Sequence, residues 1–179
     1  MIEYINGDVL NSGETIVVHG CNCFNNMKSG IAKQVSIEYP EATIADYETV
    51  PGDVNKLGRY TTAIGKNGTR IINAYTQYHY SRTQVNADYN AIERAMTNIC
   101  SDFPDQKVIA MPKIGAGLAG GDWDIIEKIL ERVSHKYDRT FRVYLYHNVY
   151  PVTPVKPDLK QWEDMIVNNS VGTSEDTDE

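Results

Sequence analysis

Three features that would mark particular protein classes are scarce in this sequence. It has 3 cysteines, Cys21, Cys23 and Cys100. This small and odd number argues against a disulfide framework and fits a reducing compartment. It contains no run apolar enough to span a bilayer, and its first residues lack the pattern of a signal peptide. Its net charge of −7 argues against the basic face of a general nucleic-acid binder. We therefore expect a cytoplasmic monomer that does not associate with membranes or bind nucleic acids in general.

Apolar patterning predicts an α/β domain. The chain has 179 residues and a hydrophobic fraction of 41%, enough for one globular core. β-type runs alternate with amphipathic patterns, which favours a largely parallel sheet covered by helices. Asn67-Gly68 lies between two further β-type runs and predicts a hairpin. The predicted strands cover 2–5, 15–19, 57–64, 70–75, 107–111 and 140–146, and helices are expected to begin near Ser29, Asn86 and Asp122.

The character of the chain changes after Pro151. We predict one domain over residues 1–150. Three prolines then open an extended segment, and residues 151–167 are expected to form a C-terminal extension that packs on the body. Residues 168–179 are small, polar and acidic, a composition typical of disorder.

The stretch Met111–Trp123 is the most informative part of the sequence. It holds Gly115, Gly117, Gly120 and Gly121 between a predicted strand and a predicted helix. Glycine permits a close approach of backbone to ligand, and amides beside a helix N-terminus form an anion site. The stretch therefore indicates a phosphate or diphosphate cradle. A plain strand-to-helix turn is the alternative, because such turns also favour glycine.

A second loop, Gly20–Gly30, has the same context. It is polar, carries three asparagines and also joins a strand to a helix. Ligands of α/β sheets bind outside the carboxyl ends of the strands. Because both loops leave such an end, we expect them to face each other across one crevice.

Taken together, these motifs resemble the macro domain. The resemblance rests on Gly7-Asp8-Val9, on a Cys-Asn loop that enters Ser29-Gly30-Ile31-Ala32, and on Ile114-Gly-Ala-Gly-Leu-Ala-Gly-Gly-Asp-Trp123, and it covers roughly residues 1 to 147. More narrowly, the chain resembles the ADP-ribose-1″-phosphate phosphatases. The resemblance implies a three-layer α/β/α sandwich with a mixed, largely parallel sheet that binds ADP-ribose or its 1″-phosphate, with neither cofactor nor metal.

The same resemblance implies roles for individual residues. Asp8 would accept the adenine amino group, Val9 would offer an amide, and Tyr146 would line the adenine side. Asn22 would bond the distal ribose, and Lys28 would add a cation beside the phosphates or point to solvent. The two diphosphate loops would consist of Ser29, Gly30, Ile31 and Ala32 and of Ile114, Gly115, Ala116, Gly117, Leu118 and Ala119.

His19 and Asn22 are the expected catalytic residues. The resemblance matches His19 to a strand-ending histidine proposed as catalytic, and a pKa near neutrality suits a general base or nucleophile. The alternative is a core histidine whose hydrogen bonds are satisfied. Hydrolases that act on glutamyl-ADP-ribose use an aspartate and a lysine where this chain has Ala119 and Gln77. The predicted function is therefore phosphate removal from ADP-ribose-1″-phosphate, with a non-catalytic ADP-ribose binder or a hydrolase of another ADP-ribose derivative as alternatives.

Several neighbouring residues allow a second interpretation. His19, Cys21 and Cys23 suggest zinc ligands, but a structural zinc site needs a fourth ligand and none is near. Cys23 as a nucleophile lacks an evident base. Asp122 heads a predicted helix, which favours N-capping over acid catalysis. Another group of residues either lines the distal pocket or forms a surface loop: Asn25, Asn26, His79 and Tyr80.

Overall fold

A computed structural model describes residues 1–146 of the chain. The predicted extension at 151–167, the predicted tail at 168–179 and the last residues of the predicted 1–150 domain lie outside the described residues. The strands are β1 (Ile2–Asn6), β2 (Ile16–Asn22), β3 (Tyr60–Ile64), β4 (Arg70–Gln77), β5 (Val108–Pro112) and β6 (Thr140–Leu145). The helices are α1 (Gly30–Glu38), α2 (Pro40–Tyr47), α3 (Tyr89–Asp102) and α4 (Trp123–Tyr137), with short 3-10 turns at Val9–Asn11 and Val54–Lys56.

The strands form one mixed sheet in the order β1-β6-β5-β2-β4-β3. Neighbouring strands run parallel except β3 and β4, which form the antiparallel hairpin that Asn67-Gly68 predicts. The predicted α/β class and its largely parallel sheet are confirmed. Because the parallel strands end at one edge of the sheet, the loops that follow β2, β4 and β5 meet there, beside the end of β6.

Helices cover both faces of the sheet, which gives the expected three layers. Alternate residues of β2 separate into two hydrophobic clusters, since successive side chains of a strand point to opposite faces. Ile16 and Val18 pack with α3 and α4, whereas Val17 packs with Val35 of α1 and Ala42 of α2. Within the described range, no helix combines the length and apolar character needed to cross a membrane.

Side chains at their N-termini fix the start of the two longest helices. Asp122 caps α4 by accepting a hydrogen bond from the amide of Asp124 at 2.9 Å, as predicted. Asn86, near which the sequence predicts the start of α3, is not its N-cap. Asp88 has the extended backbone of a cap and accepts from the amide of Ala91 at 2.8 Å. Asn86 instead bonds the backbone of Ser81 and thereby closes the loop before α3.

We predict that Ile99→Ala lowers the free energy of unfolding by about 2–5 kcal/mol, because the variant leaves a cavity in a closely packed core. Ile99 is fully buried in α3 between the sheet and α4. Urea denaturation would measure the loss. Asn90→Ala on the exposed side of the same helix is the control and should change stability by less than about 0.5 kcal/mol. Equal stabilities for the two variants would contradict this packing.

Candidate ligand-binding cleft

A cleft of about 640 Å³ lies at the carboxyl edge of the sheet. Its size is that of a small-molecule or cofactor site. The loops that follow β2, β4 and β5 and the end of β6 form its walls, so the two glycine-containing loops do face one crevice. The lining residues are Gly20, Cys21, Asn22, Asn26, Ser29, Gly30, Ile31, Ala32, Gln77, Tyr80, Ser81, Arg82, Asn86, Pro112, Lys113, Ile114, Gly115, Ala116, Gly117, Leu118, Ala119, Tyr144, Leu145 and Tyr146.

The first wall is the N-terminus of α1. Ser29 occupies the N-cap position, but its side chain makes no capping hydrogen bond. The amides of Gly30, Ile31 and Ala32, which begin the helix, therefore stay available as donors, because the first turn of a helix has no internal acceptors for them. Unsatisfied amides and the helix dipole together favour an anion here.

The second wall is the loop between β5 and α4. Gly115 has a φ of +76°, and a Cβ there would lie 2.9 Å from Ile92 Cδ1, so only glycine fits this turn against the core. Bonds within the loop fix its shape, with the amide of Gly121 donating to the carbonyl of Gly115 at 2.8 Å. Within the described residues, the amides of Gly117, Leu118 and Ala119 donate no hydrogen bond. They form a second set of donors opposite α1.

Leu118 spans the space between the two walls. Its side chain is 67% exposed, and its Cδ1 would lie 3.2 Å from a Cβ placed at Gly30. Gly30 has a φ of +57°, so both the backbone and the facing Leu118 require a residue without a side chain. This contact sets the width of the cleft between the two sets of amides.

Asn22 holds the first loop from inside the cleft. Its Oδ1 accepts from the amides of Phe24 at 2.9 Å and Asn26 at 3.3 Å, and its Nδ2 donates to the carbonyl of Asn26 at 2.8 Å. The side chain therefore supports the loop besides lining the cleft. Its contact with a ligand stays a prediction.

A buried ionic cluster underlies this loop. The Lys56 ammonium donates to the carbonyl of Cys23 at 3.2 Å and to Asn25 Oδ1, and lies 3.8 Å from Asp46 Oδ1. It also lies 4.5 Å from the centre of the Tyr75 ring, and the Tyr75 hydroxyl donates to Asp46 at 2.7 Å. Burial raises the pKa of Asp46, while the bond from Tyr75 and the charge of Lys56 act in the opposite direction. The cluster ties the loop to α2 and β4.

His19 does not line the cleft, so the geometry favours the alternative of a core histidine, and its catalytic role stays a prediction. The side chain is fully buried, with Nε2 2.7 Å from Asn73 Oδ1. Asn73 Nδ2 donates to the carbonyl of Ala42 at 2.8 Å, so Asn73 Oδ1 faces His19 and Nε2 carries the proton. Strand alternation turns His19 towards α2, on the same face as Val17, and burial lowers its pKa to about 4.

Three other sequence-predicted residues also lie outside the cleft lining. Asp8 caps the turn at Val9–Asn11 by accepting from the amide of Leu10 at 3.0 Å, and Val9 is part of the core. Lys28 is exposed and does not line the cleft, which agrees with the alternative that its side chain points to solvent. The cleft does bring together Asn22, the residues 29–32 and 114–119, and Tyr146. Contacts between these residues and a ligand stay predictions.

Four residues were expected either to line the distal pocket or to form a surface loop, and the structure divides them: Asn25, Asn26, His79 and Tyr80. Asn26 and Tyr80 line the cleft, as does Gln77. Asn25 is buried beneath the loop, and His79 stacks on Tyr80 outside the lining.

The structure adds lining residues that sequence reasoning missed. Gly20, Cys21, Pro112 and Lys113 directly follow the predicted strands 15–19 and 107–111, so extending these strands by two residues would have found them. Tyr144 and Leu145 lie within the predicted strand 140–146, next to Tyr146. Ser81, Arg82 and Asn86 had no comparable signal.

Burial keeps the cysteine thiols protonated. It raises the pKa of Cys23 to about 11 and that of Cys21 well above its usual range. A protonated thiol is a weak nucleophile, so this geometry does not support nucleophilic catalysis by Cys23.

Comparison with known sequences finds a matching family model and several related proteins. The model of the family described as Macro domain matches residues 18–130. An uncharacterised 17.5 kDa protein of Enterobacteria phage T4 is 37% identical over 77% of this chain and 93% of its own length. A protein of Debaryomyces hansenii named ADP-ribose 1″-phosphate phosphatase is 28% identical over 85% of this chain and 99% of its own length. A Mycobacterium tuberculosis protein named DNA ADP-ribosyl glycohydrolase is 30% identical over 73% of this chain but only 38% of its own length.

Comparison with solved structures supports the fold. The macrodomain of Mycobacterium tuberculosis DarG superposes with a TM-score of 0.67 at 24% identity, covering 80% of this chain and 97% of that chain.

We predict that Lys56→Met lowers the free energy of unfolding by about 3–5 kcal/mol, because it leaves the Asp46 carboxylate buried without its cation. The double variant Lys56→Met, Asp46→Asn should recover part of this loss, since it removes both charges. Denaturant titration of the two variants measures the difference. A double variant less stable than the single variant would contradict a charge-based role.

We predict a pH-dependent difference between the wild type and His19→Asn. The pKa of His19 falls from 6.5 when unfolded to about 4 when folded. Below pH 6.5 the unfolded state therefore binds a proton that the folded state excludes, which costs stability at about 1.4 kcal/mol per pH unit until about pH 4. Measured from pH 7 to 4, the stability of the wild type should fall relative to His19→Asn. Parallel curves would show that His19 is not buried in neutral form.

Proposed function

The chain belongs to the macro domain family, and on that premise we propose that it binds ADP-ribose in the cleft and hydrolyses ADP-ribose-1″-phosphate to ADP-ribose and phosphate. The two sets of free backbone amides carry this proposal. Gly30, Ile31 and Ala32 lie on one side and Gly117, Leu118 and Ala119 on the other. A diphosphate placed between them would receive donors on both sides, and such binding needs no basic patch.

Strand order supports an orientation for the ligand. Tyr144 and Tyr146 lie at the β6 end of the cleft, whereas Asn22 and Tyr80 lie at the β2 and β4 end. The rings of the half-buried Tyr144 and the exposed Tyr146 suit an adenine ring, and a polar amide suits a ribose hydroxyl. We therefore place the adenosine over β6, the diphosphate between the loops and the distal ribose beside Asn22.

The lining favours phosphate removal over cleavage of a glycosidic bond to an acidic side chain. None of the described lining residues is a carboxylate, and Gln77 and Ala119 line the cleft where the resemblance implies a lysine and an aspartate in such hydrolases. A relative named as a phosphatase aligns over nearly its whole length.

The proposed chemistry depends on positioning and electrostatics, as is general for phosphoryl transfer. Water forms a bond to phosphorus while the bond from phosphorus to the C1″ oxygen breaks, and a proton passes to that oxygen. Arg82, at the distal end of the cleft, is placed to neutralise phosphoryl charge.

A non-catalytic ADP-ribose binder is the second candidate. One observation favours it: the described lining contains neither a histidine nor a carboxylate to act as an acid or base. Phosphate release distinguishes the two candidates, because a binder would retain affinity for ADP-ribose without releasing phosphate.

We predict that Gly30→Val weakens ADP-ribose binding by at least tenfold and abolishes phosphate release, because the new side chain meets Leu118 and closes the space between the amides. Gly68→Val in the β3–β4 turn is the matched control. Gly68 also has a positive φ, of +86°, but nothing lies within 4 Å of an added Cβ. Both variants therefore bear similar backbone strain, and only one narrows the cleft.

Calorimetric titration with ADP-ribose and a phosphate assay with ADP-ribose-1″-phosphate measure the two activities. Wild-type binding with release supports the phosphatase, and binding without release selects the binder. The absence of both, or equal loss of binding in the two glycine variants, would refute the proposed site.

A further inference from the structure

A short turn carries the cation at the distal end of the cleft. Within the described residues, the lining has two cationic side chains, Arg82 and Lys113. The Lys113 ammonium follows β5 and lies 5.3 Å from the centre of the Trp123 ring. Arg82 is exposed and forms neither a hydrogen bond nor an ion pair with the described part of the chain. Its guanidinium is therefore available to pair with an anion at the β4 end.

The side chain of Asn86 closes this turn, which covers residues 81–86. Asn86 Oδ1 accepts a hydrogen bond from the amide of Ser81 at 3.2 Å, and Nδ2 donates to the carbonyls of Ser81 and, at 3.2 Å, Gln84. Ser81 Oγ also accepts from the amide of Thr83 at 3.2 Å. These bonds hold the backbone on both sides of Arg82. Less conformational entropy is therefore lost when its guanidinium binds a ligand.

Backbone hydrogen bonds tie the 81–86 turn to the second set of amides. The amide of Asn86 donates to the carbonyl of Ala119 at 2.8 Å, and the amide of Ala87 donates to the same carbonyl at 3.2 Å. Ala87 also pairs with Gln77, the last residue of β4. The turn, the end of β4 and the amides of residues 117–119 are thus joined. This connection fixes the separation between Arg82 and a diphosphate bound to those amides.

Substrate and product differ in the group that they present to Arg82. In the orientation of the proposed function, on which this inference rests, the substituent on C1″ lies beside Asn22 and Tyr80, at the same end as Arg82. ADP-ribose has a hydroxyl there, whereas ADP-ribose-1″-phosphate has a charged phosphate. The diphosphate is common to both ligands and meets the same amides. A contact with Arg82 therefore distinguishes the two ligands, and its loss weakens the binding of the product.

We propose that Arg82 is the residue by which the cleft selects a phosphorylated distal ribose, and that Asn86 is its positioning residue. The guanidinium of Arg82 pairs with the 1″-phosphate through charge-assisted hydrogen bonds, which can be bidentate. Asn86 acts through the turn and not on the ligand, because its side-chain amide is already engaged with Ser81 and Gln84. A turn without this closure would present the same charge in many positions.

The test compares the affinities of two ligands by calorimetry. One is ADP-ribose. The other is an analogue of ADP-ribose-1″-phosphate in which a methylene group replaces the C1″ oxygen, so that the phosphonate cannot be hydrolysed. Wild type should bind the phosphonate on the order of tenfold tighter than ADP-ribose, the value of a hydrogen bond between charged groups. Arg82→Gln should bind the two ligands nearly equally, and Arg82→Lys should keep part of the preference because it keeps the charge.

Variants of Asn86 separate positioning from support of the fold. Asn86→Ala should lower the preference for the phosphonate by about threefold, the cost of ordering one long side chain. It keeps the backbone amide that reaches Ala119, so the affinity for ADP-ribose should change far less. The same substitution in Arg82→Gln should cause no further loss of preference, because both residues act through one contact. Asn98→Ala is the matched control: it removes a bond of 3.1 Å to the carbonyl of Gly58, outside the cleft, and should keep the full preference.

The results separate this inference from the proposed function. Equal affinities of wild type for the two ligands, or a phosphonate preference that survives Arg82→Gln, overturn the selection by Arg82, while phosphate release by wild type leaves the function standing. Equal weakening of both ligands by Asn86→Ala, or a further loss in the double variant, overturns the positioning role. A preference that depends on Arg82 without phosphate release supports this inference and selects the non-catalytic binder. If neither ligand binds, both proposals fail.

Discussion

The buried ammonium of Lys56 is the interaction on which the first wall of the cleft depends. It joins the 3-10 turn before β3 to the carbonyl of Cys23, to Asn25 and to Asp46 of α2, at a position with almost no solvent. A charge at such a site persists only where it is paired and hydrogen-bonded. The same contacts fix the loop that carries Asn22 and leads into α1. The geometry of the anion site therefore rests on a charge that does not line it.

The carboxyl edge of the parallel strands positions the other parts of the cleft. Because β6, β5, β2 and β4 are neighbours in the sheet, the end of β6 and the loops that follow β5, β2 and β4 lie in that order along the cleft. This order places tyrosines at one end, backbone amides in the middle, and Asn22 and Tyr80 at the other end. Backbone donors would allow an acidic protein to bind the proposed diphosphate, since the donors come from the fold and not from lysine or arginine. The long axis of the proposed ligand follows from strand order alone.

Much of this was predictable from the sequence, and the failures share a physical cause. Hydrophobic periodicity predicted the strands and helices, and glycine content predicted both loops, because these signals are local. The orientation of His19 was not predictable in the same way. Helices cover both faces of β2, and the residue type alone does not say whether a side chain near the end of the strand faces the cleft or the helices α1 and α2. The Lys56–Asp46 pair joins residues that look like ordinary surface charges in sequence. The edge contacts of Phe24 with His79 and Tyr80 likewise join residues more than fifty positions apart in the chain.

The central claim is that the two loops donate backbone amides to one diphosphate. Amide chemical-shift mapping of the ¹⁵N-labelled protein during titration with ADP-ribose tests it most directly. The account predicts that the largest shifts fall together on Gly30, Ile31 and Ala32 and on Gly117, Leu118 and Ala119, and that the amide of His19 moves much less. Saturable shifts confined to one loop, or centred on residues away from the carboxyl edge of the sheet, would contradict it.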